Sequence, residues 1–262
     1  MVSYPFQRES GRAGWAWRLS TFALALLIVA GLGHRFELVD TPAFLVVLAL
    51  VASVALAGLV VSWAALARLW HVDERGIGRA FASAVVALVT LVPFAVGAVW
   101  WMSHPGLSDI STDLANPPVL GHAAATRSGL MNPVAPIGSA AVAAQRQNYP
   151  EVTGRRYDHE RGTVQEVVRS IARDNGWRPT RLPDPRMEGS GVTIEMEART
   201  LVFGFTSDVA IRLRDRIGYT QVDMRSASRY GDHDFGDNAR RITDFLERLD
   251  EEMEALPVMP AE

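Results

Sequence analysis

The chain of 262 residues contains no cysteine and no lysine. The first absence excludes a disulfide framework, a thiolate metal site and a cysteine nucleophile. The second excludes Schiff-base chemistry and a lysine-built phosphate loop. All 26 basic residues are arginine, the side chain whose planar fork suits carboxylate and phosphate. Neither sign of charge dominates: a formal net charge of −3 leaves no electrostatic footprint for nucleic acid. The three long apolar runs of the first 102 residues hold no ionisable residue in their interiors. Pumps and ion-coupled transporters place such groups at membrane depth, so those functions are disfavoured.

Those apolar runs are the main feature of the N-terminal half. They predict membrane spans at about 16–35, 43–67 and 80–102, together an anchor over 1–102. The second and third are long enough to cross about 30 Å of hydrocarbon, which takes about 20 residues. The first spans if Arg18 snorkels and Trp15 and Trp17 sit at the interface. An alternative reading of that run is a cleaved signal peptide, with Arg8 and Arg12 before it and Gly31 and Gly33 at its end. Asp40 or Thr41 is expected to cap the second helix with Pro42 in its first turn, and Pro93 to kink the third. Ser53 with Ala57, and Gly58 with Ser62, would let helices approach closely. Arg8, Arg12 and Arg18 precede the first span, and Arg68, Arg75 and Arg79 surround the second loop. The first loop has Arg35 alone, so the N-terminus is expected in the cytoplasm and everything after Trp101 outside.

The remainder is mildly acidic: nineteen arginines, the 26 less seven, against twenty-four acids, the 29 less five. Residues 103–150 read as an irregular linker or wrap, the stretch Pro117–Pro150 being rich in alanine, glycine and proline. Residues 151–262 read as a folded extracytoplasmic domain. Thr163 and Glu166 have capping-box spacing before an apolar stripe of Val164, Val167, Val168 and Ile171, which predicts a helix over 164–175 stopped by Gly176. Alternation predicts strands at Gly191–Arg199, Asp208–Arg214 and Tyr219–Arg229, with a shorter one over Trp177–Leu182. A last helix starts near Asp237, its N-cap, with Ala239, Ile242, Phe245, Leu246, Leu249 and Met253 on one side. The implied fold class is α+β: one antiparallel sheet of about four strands packed on two helices. The sheet's other face carries Glu195, Glu197, Arg212, Arg214, Asp223 and Arg225. It is expected to be a solvated surface on which acids and arginines alternate.

The densest polar stretch is Met224–Arg241, "MRSASRYGDHDFGDNARR". Four readings apply. A hydrolase would use Ser226 or Ser228 as nucleophile, His233 as base and Asp232 or Asp234 as orienter, but no G-x-S-x-G elbow is present. A metal site would use Asp232, Asp234, Asp237 and Asn238, without the spacing of a calcium loop. An anion pocket would gather Arg225, Arg229, Arg240 and Arg241 at the N-terminus of the last helix. The structural reading pairs Asp208, Arg225 and Arg229 with one another or with Asp234, and bonds Ser226 and Ser228 to backbone. In it Asp237 or Asn238 caps the helix, and Gly231 and Gly236 take turn conformations. The candidate polar or anion site is thus Asp208, Arg225, Ser226, Ser228, Arg229, Asp234, Asn238 and Arg241, with no catalytic or metal residue assigned and no cofactor.

At "FGFTSDVAIRLR" and "MRSASRYGDHDFGDNARRITDFL" the chain closely resembles the uncharacterised family called domain of unknown function 1499. Phe203, Phe205, Asp208 and Val209 match its strand motif, with Ser207 where a second aspartate is usual. Arg225, Ser226, Ala227, Ser228, Arg229 and Gly231 match the next part. Asp234, Gly236, Asn238, Arg241 and Ile242 match the last, with His233 where serine is usual. "DISTDLANPP", from Asp109, is similar to the opening of membrane-anchored members; the cysteine pair of some others is missing. The resemblance covers about 108–250 and implies a membrane-associated bacterial protein without implying a reaction. The expectation is a multi-pass inner-membrane protein presenting a periplasmic binding or interaction module. Its partners would be the bilayer and an anionic lipid headgroup, an envelope glycan or a membrane protein. The alternatives are a hydrolase acting on lipid or cell-wall material and an accessory subunit of an inner-membrane complex.

Overall fold

A computed structural model of the chain describes residues 10–69, 76–181 and 191–256. Arg8, Arg75 and Leu182 lie outside the described residues. The chain divides into two compact units: Met1–Val99 with Val202–Gly204, and Trp100–Leu201 with Phe205–Glu262.

The first unit is built on three helices, α1 (Gly11–Arg35), α2 (Thr41–Leu69) and α3 (Ile77–Ser103). Each is long and apolar enough to cross a membrane. Even α1, with 25 residues, outruns a core of about 30 Å at about 1.5 Å per residue. Val29, Val46, Val60, Leu88 and Val99 are large, apolar and exposed, a continuous display that suits lipid and not water. Asp40 caps α2, its Oδ1 accepting the Ala43 N–H at 2.8 Å, and α3 runs through Pro93. α1 and α2 approach closely at Gly58: a Cβ there would stand 2.7 Å from Ser20 Oγ. The small residue at that position is therefore a packing requirement.

The second unit is an antiparallel sheet with helices, α+β as its alternating strands imply. Its elements are β1 (Asp109–Ser111), α4 (Gly121–Thr126), α5 (Ser139–Asn148), β2 (Arg155–Tyr157), α6 (Arg161–Asp174), β3 (Arg178–Arg181), β4 (Gly191–Arg199), β5 (Thr206–Arg216), β6 (Tyr219–Ser228) and α7 (Asp237–Glu254). The strand order is β1-β6-β5-β4-β3. β2 joins the same edge of β6, pairing with Thr220–Val222 while β1 pairs with Arg225–Ala227. The sheet thus has six strands, not about four. Its two extra strands are three residues each, too short for an alternation to register.

The core lies between the sheet and α6 and α7. Ile194, Ile211 and Met224 stand opposite one another across β4, β5 and β6, as do Val192, Leu213 and Val222. They meet Val164, Val168 and Ile171 of α6 and Ile242, Phe245 and Leu249 of α7. Phe245 stacks on Trp177 with centroids 5.0 Å apart. Each such aliphatic or aromatic side chain contributes about 1.5–3 kcal/mol through burial. Asp250 fastens the edge strand β2 to α7, accepting from Arg155 Nε at 2.8 Å and from the Tyr157 hydroxyl at 2.6 Å.

Two local expectations need correction. α6 begins at Arg161 with Glu160 as its N-cap and no side-chain cap bond, so Thr163 and Glu166 form no capping box; they lie inside the first two turns. Gly176 does end that helix, at φ +69. The stretch 103–150 contains β1, α4 and α5. α5 escaped notice because its one buried residue is polar, Gln145, and it has no apolar stripe to read. That amide works as a strand would, accepting the Ser111 N–H at 3.2 Å and donating to the Ser111 carbonyl at 2.7 Å.

The largest correction concerns the charged face of the sheet, expected to be solvated. Glu195, Asp208, Asp223 and Arg225 are all buried. Ala210 and Ala227 interrupt the charges with a small apolar patch, and Leu120, Ala123 and Val134 pack onto it. The segment after β1 therefore folds back across the face. Glu195 receives its helix α4 by accepting the His122 N–H at 2.9 Å, a carboxylate placed at a helix start. Nor do acids and arginines alternate regularly. Thr193, Arg212 and Asp223 align, but Glu197 faces Asp208 directly.

Candidate functional site

The eight residues of the candidate polar site do not converge. β6 sends alternate side chains to opposite faces, and the set divides in two.

Ser226, Ser228, Asn238 and Arg241 lie on the helix side. Ser226 Oγ donates to Asn238 Oδ1 at 2.7 Å, and Arg241 Nη1 donates to both, at 3.0 and 2.7 Å. Asn238 Nδ2 donates to Ser228 Oγ at 2.9 Å and to the Ser108 carbonyl at 3.1 Å. Arg241 also pairs with Asp237 one turn earlier. Ser226 and Asn238 are both 0% exposed. The serines bond chiefly to side chains, not to backbone as the structural reading had it.

The N-cap of α7 is Gly236, in place of the expected Asp237 or Asn238, and the capping carboxylate comes from Asp234. Its Oδ1 accepts the Gly236 N–H and its Oδ2 the Asn238 N–H, both at 2.9 Å. Burial pushes this carboxyl up, more than the two N–H bonds draw it down. Gly236 sits at φ +78, and a Cβ there would come within 2.4 Å of the His104 ring, so conformation and space both demand glycine.

Asp208, Arg225 and Arg229 lie on the opposite face with partners that had not been foreseen. Asp208 Oδ2 accepts from Arg127 Nε at 2.8 Å, and its Oδ1 from Arg229 Nη2 at 2.7 Å. Arg229 also pairs with Glu197, which explains why two acids can face each other there. Burial alone would draw the Arg229 guanidinium down, but its hydrogen bonds to Asp208 and Glu197 hold it above its ordinary range. Arg225 makes a bidentate pair with Asp109, at 2.9 and 2.6 Å, and donates to the Ala135 carbonyl at 2.9 Å. Arg127 reaches the carbonyls of Asn132 and Ala227 at 2.8 and 2.9 Å. These guanidinium donors satisfy carbonyls of an irregular segment that has no ladder to use them.

No reaction follows from this geometry. His233 Nε2 lies 3.1 and 3.0 Å from the Trp101 and His104 carbonyls, and its Nδ1 accepts the Phe235 N–H at 3.0 Å. With Nδ1 accepting, Nε2 is the nitrogen left to face those carbonyls. Among the described residues no hydrogen bond joins it to either serine, so the nucleophile–base chain of a hydrolase is not assembled. Arg225 and Arg229 are separated by the sheet from Arg240 and Arg241, so the four do not form one anion pocket.

An open feature lies elsewhere on the charged face. Beyond the Ala210–Ala227 patch the cover ends, and a groove of about 630 Å³ opens. Its lining includes Thr112, Asp113, Arg146, Tyr149, Arg156 and Gln221. Asp113 and Asp223 border it, each held by Arg212 and Arg214 at 2.5–3.3 Å. Gly154 forms part of the wall, where a Cβ would stand 2.7 Å from Asp223 Oδ1 and 3.0 Å from the Val222 carbonyl. The Tyr149 hydroxyl is buried without a partner among the described residues, and burial pushes its pKa up to about 12. The sequence offered no signal for this groove, since most of its lining comes from the stretch read as a linker.

No curated protein and no solved structure matches the chain. The family model described as a protein of unknown function, DUF1499, matches residues 109–249, over half of the chain and all of the sheet but none of the membrane-spanning helices. A match of that extent makes this chain a member of the DUF1499 family.

Proposed function

We propose that the chain is an inner-membrane protein with a cytoplasmic N-terminus, that its α+β unit stands in the periplasm, and that this unit is a binding module whose ligand occupies the groove. The arginine bias supports the orientation, with Arg12, Arg18, Arg68 and Arg79 on the cytoplasmic side and Arg35 alone in the first loop. One observation carries the binding reading. The polar corner that stood out in sequence is closed and internally bonded, whereas the groove beside it is open and lined by convergent polar side chains.

Two measurements test it. An alkaline phosphatase fused after Glu262 is expected to be active and a green fluorescent protein at the same place dark; the reverse pattern removes the periplasmic placement. Purification in mild detergent followed by native mass spectrometry is expected to show a bound companion. Ala115→Trp, an exposed groove position, should lose it. A companion retained in full by that variant places the binding elsewhere.

A further inference from the structure

Once the arginines that pair with its acids are counted, the groove carries a charge opposite to that of the domain around it. Residues 103–262 are acidic overall, with nineteen arginines against twenty-four acids. The lining acids Asp113 and Asp223 are each shared between Arg212 and Arg214, which are outside the lining. Two carboxylates against two guanidiniums make that cluster neutral. Arg146, from α5, and Arg156, from β2, then remain as the unopposed charges of the lining. Both are exposed, and neither makes an ion pair among the described residues. Glu151 is the nearest acid along the chain between them, and it is outside the lining. Arg156 is also pre-oriented. Its guanidinium carbon stands 5.3 Å from the centre of the Tyr219 ring, a cation–π contact that holds its plane, and its register partner Gln221 offers an amide in the same lining.

We propose that the groove binds an oxyanion, a phosphate or carboxylate group, with Arg156 as its forked donor and Arg146 as the second cation. The inference rests on the groove being the ligand site. A guanidinium presents two parallel N–H groups that match two oxygens of such a group, and a concave surface strengthens the field of its charges. A neutral ligand would have no use for either arginine. A cation would meet two carboxylates that are already saturated. The oxyanion can belong to a soluble molecule or to a lipid headgroup, and the chemistry of recognition is the same for both.

The test uses the full chain in dodecyl maltoside, titrated calorimetrically with inorganic phosphate, glycerol 3-phosphate and glucuronate, and in nanodiscs of phosphatidylglycerol or of phosphatidylcholine. Binding of a soluble anion indicates a free ligand. Preference for phosphatidylglycerol without soluble binding indicates a headgroup. Either supports the proposal. Arg156→Gln and Arg146→Gln should each weaken the interaction about 10-fold, as loss of a charge-assisted bond does, with unfolding midpoints unchanged. Arg169→Gln, an exposed arginine on α6, should bind as the unaltered chain does. Binding undiminished in the double variant Arg146→Gln, Arg156→Gln overturns the proposal, and so does failure of every anion and both nanodiscs. If Ala115→Trp loses the native companion while the double variant keeps it, the groove stands as the binding site and its anionic character falls. If neither loses it, both readings fall.

Discussion

The two ends of one sheet face use the same ions to opposite ends. Around Asp208 three arginines and their acids lie under a covering segment, every guanidinium engaged by carboxylate or carbonyl. Around Asp223 the ions are as closely paired, yet the cover stops and two further arginines stand open at the rim. The difference lies in the residues between the charges. Ala210 and Ala227 give the first end an apolar seat for Leu120 and Ala123, while the second end presents Thr193, Gln221 and Arg156 and holds Asp113 by ion pairs with no apolar seat. Density of charge therefore does not mark a site here; a donor left without a partner does.

The comparison breaks most visibly at Asp208. Its side chain is 4% exposed and balances Arg127, 5% exposed, and Arg229. Asp208→Ala leaves the buried Arg127 guanidinium with carbonyl partners alone and the half-buried Arg229 with Glu197 alone. Removing one partner of a buried pair costs about 3–5 kcal/mol, and chemical denaturation followed by circular dichroism should show a loss of that order. The next effect belongs to the open end. Gly154→Ala drives a methyl group against Asp223 Oδ1 and the Val222 carbonyl, and overpacking of this kind costs about 1–3 kcal/mol. Backbone lies on one side of that contact, so the loss should persist at high salt, whereas a loss arising from ion pairing would shrink.

Ser226→Ala is expected to cost about 1 kcal/mol, the worth of a typical hydrogen bond, with part of the desolvation cost of Asn238 and Arg241 added. The same unfolding measurement applies, and its companion is Ser228→Ala, which should cost less because Ser228 is half-buried. If Ser226 were a nucleophile, its replacement would abolish a cellular role while leaving stability intact; the bonding around it predicts the converse.

Much of this molecule can be read from its residues, and the unread parts share a cause. The three long helices follow from unbroken apolar runs, and the strands β4, β5 and β6 and the helices α6 and α7 from apolar periodicity, because each of these has one greasy face and the sequence repeats it. β1, β2 and α5 have no such repeat: two are three residues long, and the third buries a glutamine. For the polar stretch, period two placed Ser226 and Ser228 toward the helices correctly. It also implied that Arg225 and Arg229 leave by the other face, which is incompatible with a pocket shared with Arg241. Asp109, Arg127 and Glu197 were not foreseen as partners, since nothing local in sequence marks a contact across 32, 81 or 116 positions. The groove was illegible for the same reason, its walls being 112–115, 145–154 and β6.

A spectroscopic effect distinguishes the two ends without touching the ions. Tyr149 lines the groove, yet its hydroxyl is buried and its pKa is pushed up to about 12. The Tyr157 phenol is raised too, by burial and then by its bond to Asp250. Above about pH 10, the ordinary phenol value, the unfolded chain releases these protons while the native chain keeps them. Stability therefore falls as pH rises from there toward the native values. Absorbance at 295 nm should show the Tyr149 phenol ionising near pH 12, a step missing in Tyr149→Phe. Ionisation near pH 10 would mean that the groove is wetter at its base than its packing allows.

The smallest expected effect is the most discriminating. Arg156 is exposed and its ring contact with Tyr219 is the interaction it makes among the described residues. Exposed cation–π contacts are worth about 0.5–1 kcal/mol, and the amide of Arg156→Gln keeps some of that packing. The substitution should therefore change stability by about 0.5 kcal/mol or less, as surface changes do. Arg229→Gln, which strips a partner from both Asp208 and Glu197, should cost several times more. A structural role for Arg156 would bring the two losses together. Near-neutrality at the rim beside a large loss at the covered end is what a side chain held in reserve for a ligand requires.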